Sequence, residues 1–143
     1  MALPPKLDQI VRLMRSSPKN IRVEAMLDYA NRIPPLPEGM DTGDLEQVHE
    51  CQSPFFVATE IADDGSVSLY FDAPREAPTV RGFAGILLDG LDGEQAAVIL
   101  EVPDDFFYDM GLGEVVTPLR LRGMGAILGR IKRQIREGSS GEV

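Results

Sequence analysis

The chain has 143 residues, 43% hydrophobic and 26% charged, which fits one globular domain able to bury a core without disulfides or a structural metal. That composition excludes a disordered chain, and no apolar run approaches the roughly 20 residues needed to span a bilayer. The net charge of −9 is unevenly placed, with 18 acidic and 2 basic side chains in residues 38–116 against 6 basic and 1 acidic in residues 117–137. The acidic middle repels phosphate backbones and the basic end is short, which argues against a nucleic-acid role. A protein partner with a complementary patch, or a solvated charged face, accounts for the asymmetry. Residues Met1 to Lys6 lack the apolar stretch of a secretory signal, and Cys51 is the single cysteine. Both features predict a reducing, cytoplasmic setting away from membranes.

Leu7, Ile10, Val11 and Met14 recur at helical spacing and predict a short amphipathic helix over 6–16, ended by Ser17-Pro18. A second helix is predicted over about 19–32, with Val23, Met26, Leu27 and Ala30 on its apolar face. It stops before Pro34-Pro35-Leu36-Pro37, whose fixed φ and missing donors exclude helix and central strand, so an extended strap over the core is expected. After a polar loop over 38–45 come three strand-like segments: one leading to Cys51, one over 55–61 and one over 67–71. Asp63-Asp64-Gly65 supplies the turn between the last two. Val80, Phe83, Ala84, Leu87, Leu88 and Leu91 predict a helix over about 77–90, in which Gly82 and Gly85 leave room for another element. A short helix opens at Gly93-Glu94-Gln95. Another is predicted from Pro103, with Asp104 and Asp105 facing its positive end, and stops at Gly111 and Gly113. Leu121, Met124, Leu128, Ile131 and Ile135 form the stripe of a last helix over 118–136, followed by a flexible tail over 138–143. The expectation is one α+β domain, ordered over about 5–137, in which helices cover one face of a small antiparallel three-stranded sheet.

Cys51 is either a small buried hydrophobe or a chemical handle. A free thiol is only a few per cent ionised at neutral pH, and Glu50 disfavours the thiolate further. Its setting, Glu50-Cys51-Gln52-Ser53-Pro54, reads as a loop, where functional groups concentrate. His49 makes neither a zinc site, which needs three or four ligands, nor a cysteine-protease dyad, which needs a spatially placed histidine. Arg120 and Arg122 open the last helix at the end that cations do not favour. They are either surface residues or groups that reach a thiolate or a partner's carboxylate. Phe55-Phe56, Phe106-Phe107 and the methionines read as core, and Asp63-Asp64 and Asp104-Asp105 are explained by turn and helix-end positions without chemistry.

Six landmarks stand in one order along the chain: Pro34-Pro35-Leu36-Pro37; Val48 followed by Cys51-Gln52-Ser53; Val80-Arg81-Gly82 with Ile86-Leu87-Leu88; Phe106-Phe107; Gly111-Leu112; and Thr117-Pro118-x-Arg120-x-x-Gly123. Over nearly its whole length the sequence resembles the SufE family, the sulfur-acceptor proteins of iron–sulfur cluster assembly. It departs from that pattern in having Glu50 where the family usually has glycine, Phe55-Phe56 in place of an aliphatic–tryptophan pair, and Arg122 where an asparagine or glutamine is common.

The resemblance implies a SufE/IscU-like fold and a partner, a cysteine desulfurase of the SufS type. The partner would carry the pyridoxal phosphate, and this chain would need no cofactor or metal. It implies that Cys51 takes sulfur from the desulfurase's persulfide, stimulates that enzyme, and relays the sulfur to a downstream iron–sulfur scaffold, with the chain acting as monomer or homodimer. Cys51 would then be the catalytic residue, Glu50, Gln52, Ser53 and Arg120 the loop and partner-binding residues, and Arg120 a group favouring the anionic sulfur. The acceptor loop would shelter the cysteine in a cavity and swing out on docking. The competing expectation is a non-catalytic module that regulates a desulfurase or scaffold, with Cys51 incidental. A cluster scaffold needs more than one thiol ligand and is nearly excluded.

Overall fold

The computed structural model describes the backbone of residues 3–141 and the side chains of residues 3–138. Two short helices, α1 (Pro5–Ser16) and α2 (Lys19–Ala30), precede a sheet of β1 (Glu46–Gln47), β2 (Phe56–Ile61) and β3 (Val67–Asp72). Helices α3 (Pro78–Leu91), α4 (Ala96–Leu100) and α5 (Pro118–Gly141) follow. The sheet is antiparallel in the order β1-β2-β3, as the three strand-like segments and the Asp-Asp-Gly turn predict. Gly65 takes φ +86 at that turn, where Asp64 accepts hydrogen bonds from the Ser66 backbone and hydroxyl. Val67, Leu69 and Phe71 of β3 point into the core, and Val57 lies opposite Phe71 on the same face. The outer edge of β3 is covered by the α3–α4 connection. Val67 donates to Glu94 O at 2.9 Å, Gly93 donates to Val67 O at 2.7 Å, and Leu69 N–H donates to the Asp92 carboxylate at 2.8 Å.

Helix α3 is the centre of the fold, with Phe83, Ala84, Ile86, Leu87 and Leu91 fully buried. Phe83 stacks on Phe106 at 5.6 Å and meets Phe107 edge-on at 6.0 Å. Gly82 and Gly85 let α2 lie directly on it, since a Cβ at either position would run into the Met26 or Tyr29 carbonyl. The proline strap carries no helix or strand; Pro34, Pro35 and Leu36 line a crevice against β3 and Leu88.

Several elements differ from the sequence expectation. Helix α2 buries Arg22, Met26 and Ala30, while Val23 and Leu27 are 45% and 47% exposed. The reason is Arg22, whose guanidinium donates to Met14 O at 2.9 Å and Arg15 O at 3.1 Å, two carbonyls in the last turn of α1, the first of which also accepts the Ser17 N–H. The same group reaches Gly111 O and pairs with Glu114. Residues 103–114 do not form the predicted α-helix but two 3₁₀ turns, Phe106–Met110 and Leu112–Glu114, joined at Gly111 with φ +76. Phe106 and Phe107 both meet Phe83 from this segment, and Asp104 pairs with buried Lys132 at 2.6 Å instead of facing a helix end. Among the core-reading residues, Phe56 and Met40 are only half-buried. Helix α5 passes the predicted stop at 136 and runs to Gly141, its end resting near Ile61 through Gly138. Glu142 and Val143 of the predicted tail, and Met1 and Ala2, lie outside the described residues.

The Gly85–Tyr29 approach makes a sharp prediction. Gly85→Ala gains about 1 kcal/mol of helix propensity, but the methyl group meets backbone that cannot yield cheaply, and the net loss is expected at about 2 kcal/mol. Urea unfolding should show a lower midpoint with an unchanged m-value.

Candidate functional site

Cys51 sits on a six-residue loop, 49–54, hung between β1 and β2. The loop's base is closed by Val48 N–H donating to Phe55 O at 2.8 Å, and both anchor side chains are completely buried. Inside it, Cys51 N–H donates back to Val48 O at 3.2 Å, which turns the cysteine inward. Phe55, the C-terminal anchor, packs on Phe71 of β3 with ring centres 5.7 Å apart. The apolar residues after the cysteine therefore fasten the loop, while the polar residues around the cysteine stay outside the core.

The thiol is half-buried against α5. A Cβ placed on Gly123 would lie 3.1 Å from Cys51 Sγ, so only glycine leaves the sulfur its present room, and the thiol points its weak donor toward Gly123 O at 3.9 Å. Beside the sulfur lies a cavity of about 180 Å³. Its walls are Cys51, Gln52 and Ser53 of the loop, Glu76 and Ala77 with the first turn of α3 from Pro78 to Val80, and Arg120 and Gly123 of α5. Two helices thus begin at the cavity, and each opens on a proline, Pro78 and Pro118. The N-cap of α3 is Ala77, whose side chain offers no oxygen, so the first N–H groups of that helix keep no side-chain partner. Two helix starts and Arg120 favour negative charge in the cavity, and the Glu76 carboxylate on its wall opposes them.

Burial works against that tendency in the closed loop. It pushes the Cys51 thiol up from 9.0 to about 11, with the Glu50 carboxylate adding to the rise and Arg130 opposing it. At neutral pH the sheltered sulfur is therefore a thiol and a poor nucleophile.

The structure brings four of the five candidate residues, Cys51, Gln52, Ser53 and Arg120, to the cavity wall. Glu50 points the other way, onto α5. Arg130 donates to it through two nitrogens, Nη2 to Oε1 at 2.8 Å and Nη1 to Oε2 at 3.3 Å. A hydrogen bond from its own backbone, followed by Arg130, holds the Glu50 carboxyl below the ordinary range. Arg130 also lies 3.2 Å from Glu46 of β1 through Nε. Arg133 pairs with Glu46 too, and Gln134 donates to it at 2.9 Å. These bonds outweigh burial and keep Glu46 ionised below its usual pKa. Sequence reading passes over Arg130, which has no local signal beyond its place on the polar face of α5. His49 and Arg122 are exposed. Among the described residues no three His, Cys, Asp or Glu side chains are grouped so as to hold a metal, and no helix is long and apolar enough to cross a membrane.

Two outcomes follow from this geometry. The closed-site preference for thiol is complete below pH 9 and is lost as pH rises through about 11. Alkylation of native Cys51 should therefore keep accelerating up to that range, while the urea-unfolded chain levels off near an ordinary thiol pKa of about 8.5. Gly123→Ala should displace the sulfur from its wall and speed alkylation, with little change in the unfolding midpoint because helix propensity compensates by about 1 kcal/mol.

Comparison with known proteins places this arrangement. Residues 8–135 match the family model of SufE, described as an Fe-S metabolism associated domain. A SufE-like protein of Mycobacterium tuberculosis is 46% identical over 136 residues, covering 95% of each chain. One of Synechocystis is 32% identical over 124 residues, covering 85% of this chain and 74% of its own. A solution structure of a hypothetical protein from Thermus thermophilus superposes with a TM-score of 0.87 at 48% identity, covering 96% of this chain and 98% of that one. The chain belongs to the SufE family, with a role in iron–sulfur metabolism.

Proposed function

We propose that the protein is a sulfur acceptor: Cys51 takes the outer sulfur of a persulfide formed on a cysteine desulfurase and passes it on to iron–sulfur cluster assembly. The observation that carries this reading is the position of the chain's one thiol. It stands on a loop hung from two buried anchors, beside a cavity of about 180 Å³ lined by Arg120 and the first turn of α3. A structural cysteine needs neither the cavity nor the loop.

The chemistry is thiol exchange. Cys51 loses its proton, and the thiolate attacks the terminal sulfur of the partner's persulfide. The partner's sulfur–sulfur bond breaks, its cysteine leaves as a thiolate that takes up a proton, and a persulfide now stands on Cys51. No electron is gained or lost overall. The electrophile arrives on the partner, a desulfurase of the SufS type that carries pyridoxal phosphate, so this chain needs neither a cofactor nor a second catalytic residue of its own. A persulfide on Cys51 adds one atom to the sulfur and a more acidic S–H than a thiol. Arg120 and the first turn of α3 line the cavity and would receive the resulting anion, and Gln52 and Ser53, also on its wall, would meet the partner. The same exchange, run onto the thiol of a downstream scaffold, returns Cys51 to its starting state.

Incubation with a cysteine desulfurase, cysteine and pyridoxal phosphate, followed by mass spectrometry of peptides, tests the reading. One added sulfur atom is expected on the Cys51 peptide, and Cys51→Ser should remove both the adduct and the stimulation of the desulfurase. Stimulation that survives Cys51→Ser, with no sulfur on the wild-type peptide, would instead identify a regulatory module in which the thiol is incidental. In the same assay Arg120→Gln is expected to lower the yield of sulfur on Cys51 by about threefold, the scale of one partly exposed charge contact.

A further inference from the structure

The Cys51 loop touches the rest of the molecule through very few polar side-chain contacts. Apart from the weak thiol contact with Gly123 O, the Glu50–Arg130 pair is the side-chain link that ties residues 49–54 to other elements among the described residues. The link is two-pronged, and its cation is already held in position. Arg130 Nε lies 3.2 Å from Glu46, a carboxylate on β1 that Arg133 and Gln134 secure from the other side. Glu50 stands directly before Cys51, so its position fixes that of the sulfur. We infer that Glu50 and Arg130 form a positioning latch that holds Cys51 in its cavity, and that a docking partner must open this pair to reach the sulfur. The purpose of the latch rests on the reading of Cys51 as an acceptor, but its existence is a property of the free protein.

Charge alone makes a different prediction from a latch, because the two members act on the thiol with opposite signs. The charged groups near it are Glu50 and His49 of the loop, Glu46 of β1, Glu76 ahead of α3, and Arg120 and Arg130 of α5. Glu50 disfavours the thiolate and Arg130 favours it. If the pair acts only through its field, removing Glu50 accelerates alkylation of Cys51 and removing Arg130 slows it. If the pair is a latch, removing either member frees the loop, and both changes accelerate.

The experiment measures the rate of Cys51 alkylation by iodoacetamide at pH 8 in the full chain without any partner. The wild type is compared with Glu50→Gln, Arg130→Gln, the double variant and Arg133→Gln. Each latch variant is expected to react about threefold to fivefold faster, the range of a partly exposed ion pair. The double variant should be no faster than the quicker single one, because the second change removes nothing further. Arg133→Gln leaves the Glu50–Arg130 pair intact and Glu46 still bound by Arg130 and Gln134, so it should accelerate the reaction less than either latch variant. An unchanged or slower rate in Arg130→Gln overturns the latch. So does an equal acceleration in Arg133→Gln, which would reveal general loosening between β1 and α5. Glu50 is exposed, so Glu50→Gln folds in any case, and a thermal melt of each variant verifies the others. Absence of sulfur transfer with these rates intact would remove the acceptor function and leave the latch standing.

Discussion

Charge neutralisation along α5 is the constraint on which the rest of the molecule depends. A segment with 18 acidic and 2 basic residues would repel itself on compaction, and α5 supplies the counter-charges from inside the fold. Arg130, Lys132 and Arg133 take Glu46, Glu50, Asp104 and Glu137, while Arg22 takes Glu114 from the opposite side. Most of these pairs are partly exposed and individually worth about 1 kcal/mol or less. Their effect is on placement. They set the sheet edge, the Cys51 loop and the 3₁₀ segment against one helix, so the wall behind the sulfur and the clasp beside it come from a single rigid element. Part of the charge asymmetry is spent within the chain, while most of the 18 acidic side chains of residues 38–116 form no ion pair among the described residues.

Reactivity and protection are set by the same contacts. The cavity offers helix starts and an arginine to an anion, yet the closed loop removes the sulfur from water, and desolvation wins. A resting thiol in this state resists stray oxidants and alkylating metabolites, because both react with the thiolate. Exposure of the loop would remove the desolvation that keeps the proton on, so the conformational change and the chemical activation are one event.

What is legible in the residues, and what is not, divides along a physical line. Helix α1 is legible because Leu7, Ile10, Val11 and Met14 repeat its period without interruption. The hairpin is legible because alternation and a glycine turn agree. Cys51-Gln52-Ser53 is legible because its neighbours in sequence make it a loop and the family landmarks around it occur in order. Helix α2 misleads because Val23 and Leu27 are apolar and Arg22 is not, while the deciding fact is the pair of carbonyl acceptors at the end of α1 that draw Arg22 inward. The 3₁₀ segment misleads because proline and acidic residues signal a helix start, whereas Asp104 is held by Lys132 of α5 and Gly111 turns the chain after a single short run. Arg130 escapes notice because it meets Glu50 across 80 residues of sequence, and no local pattern records such a pairing.

The buried anchors Val48 and Phe55 have a further consequence, which concerns reach. As long as the bond between them holds, the loop is a tether of fixed length. Cys51 is three residues from the nearer anchor, so its Cα can travel no further than about 10 Å from that of Val48 even when fully extended. The sulfur therefore cannot be thrown deep into another protein's interior. In the sulfur transfer proposed above, a donor would have to carry its own sulfur most of the way, on a segment able to come within that short radius of the sheet edge. Lengthening the tether by one residue on either side would change the meeting point more than any substitution in the cavity.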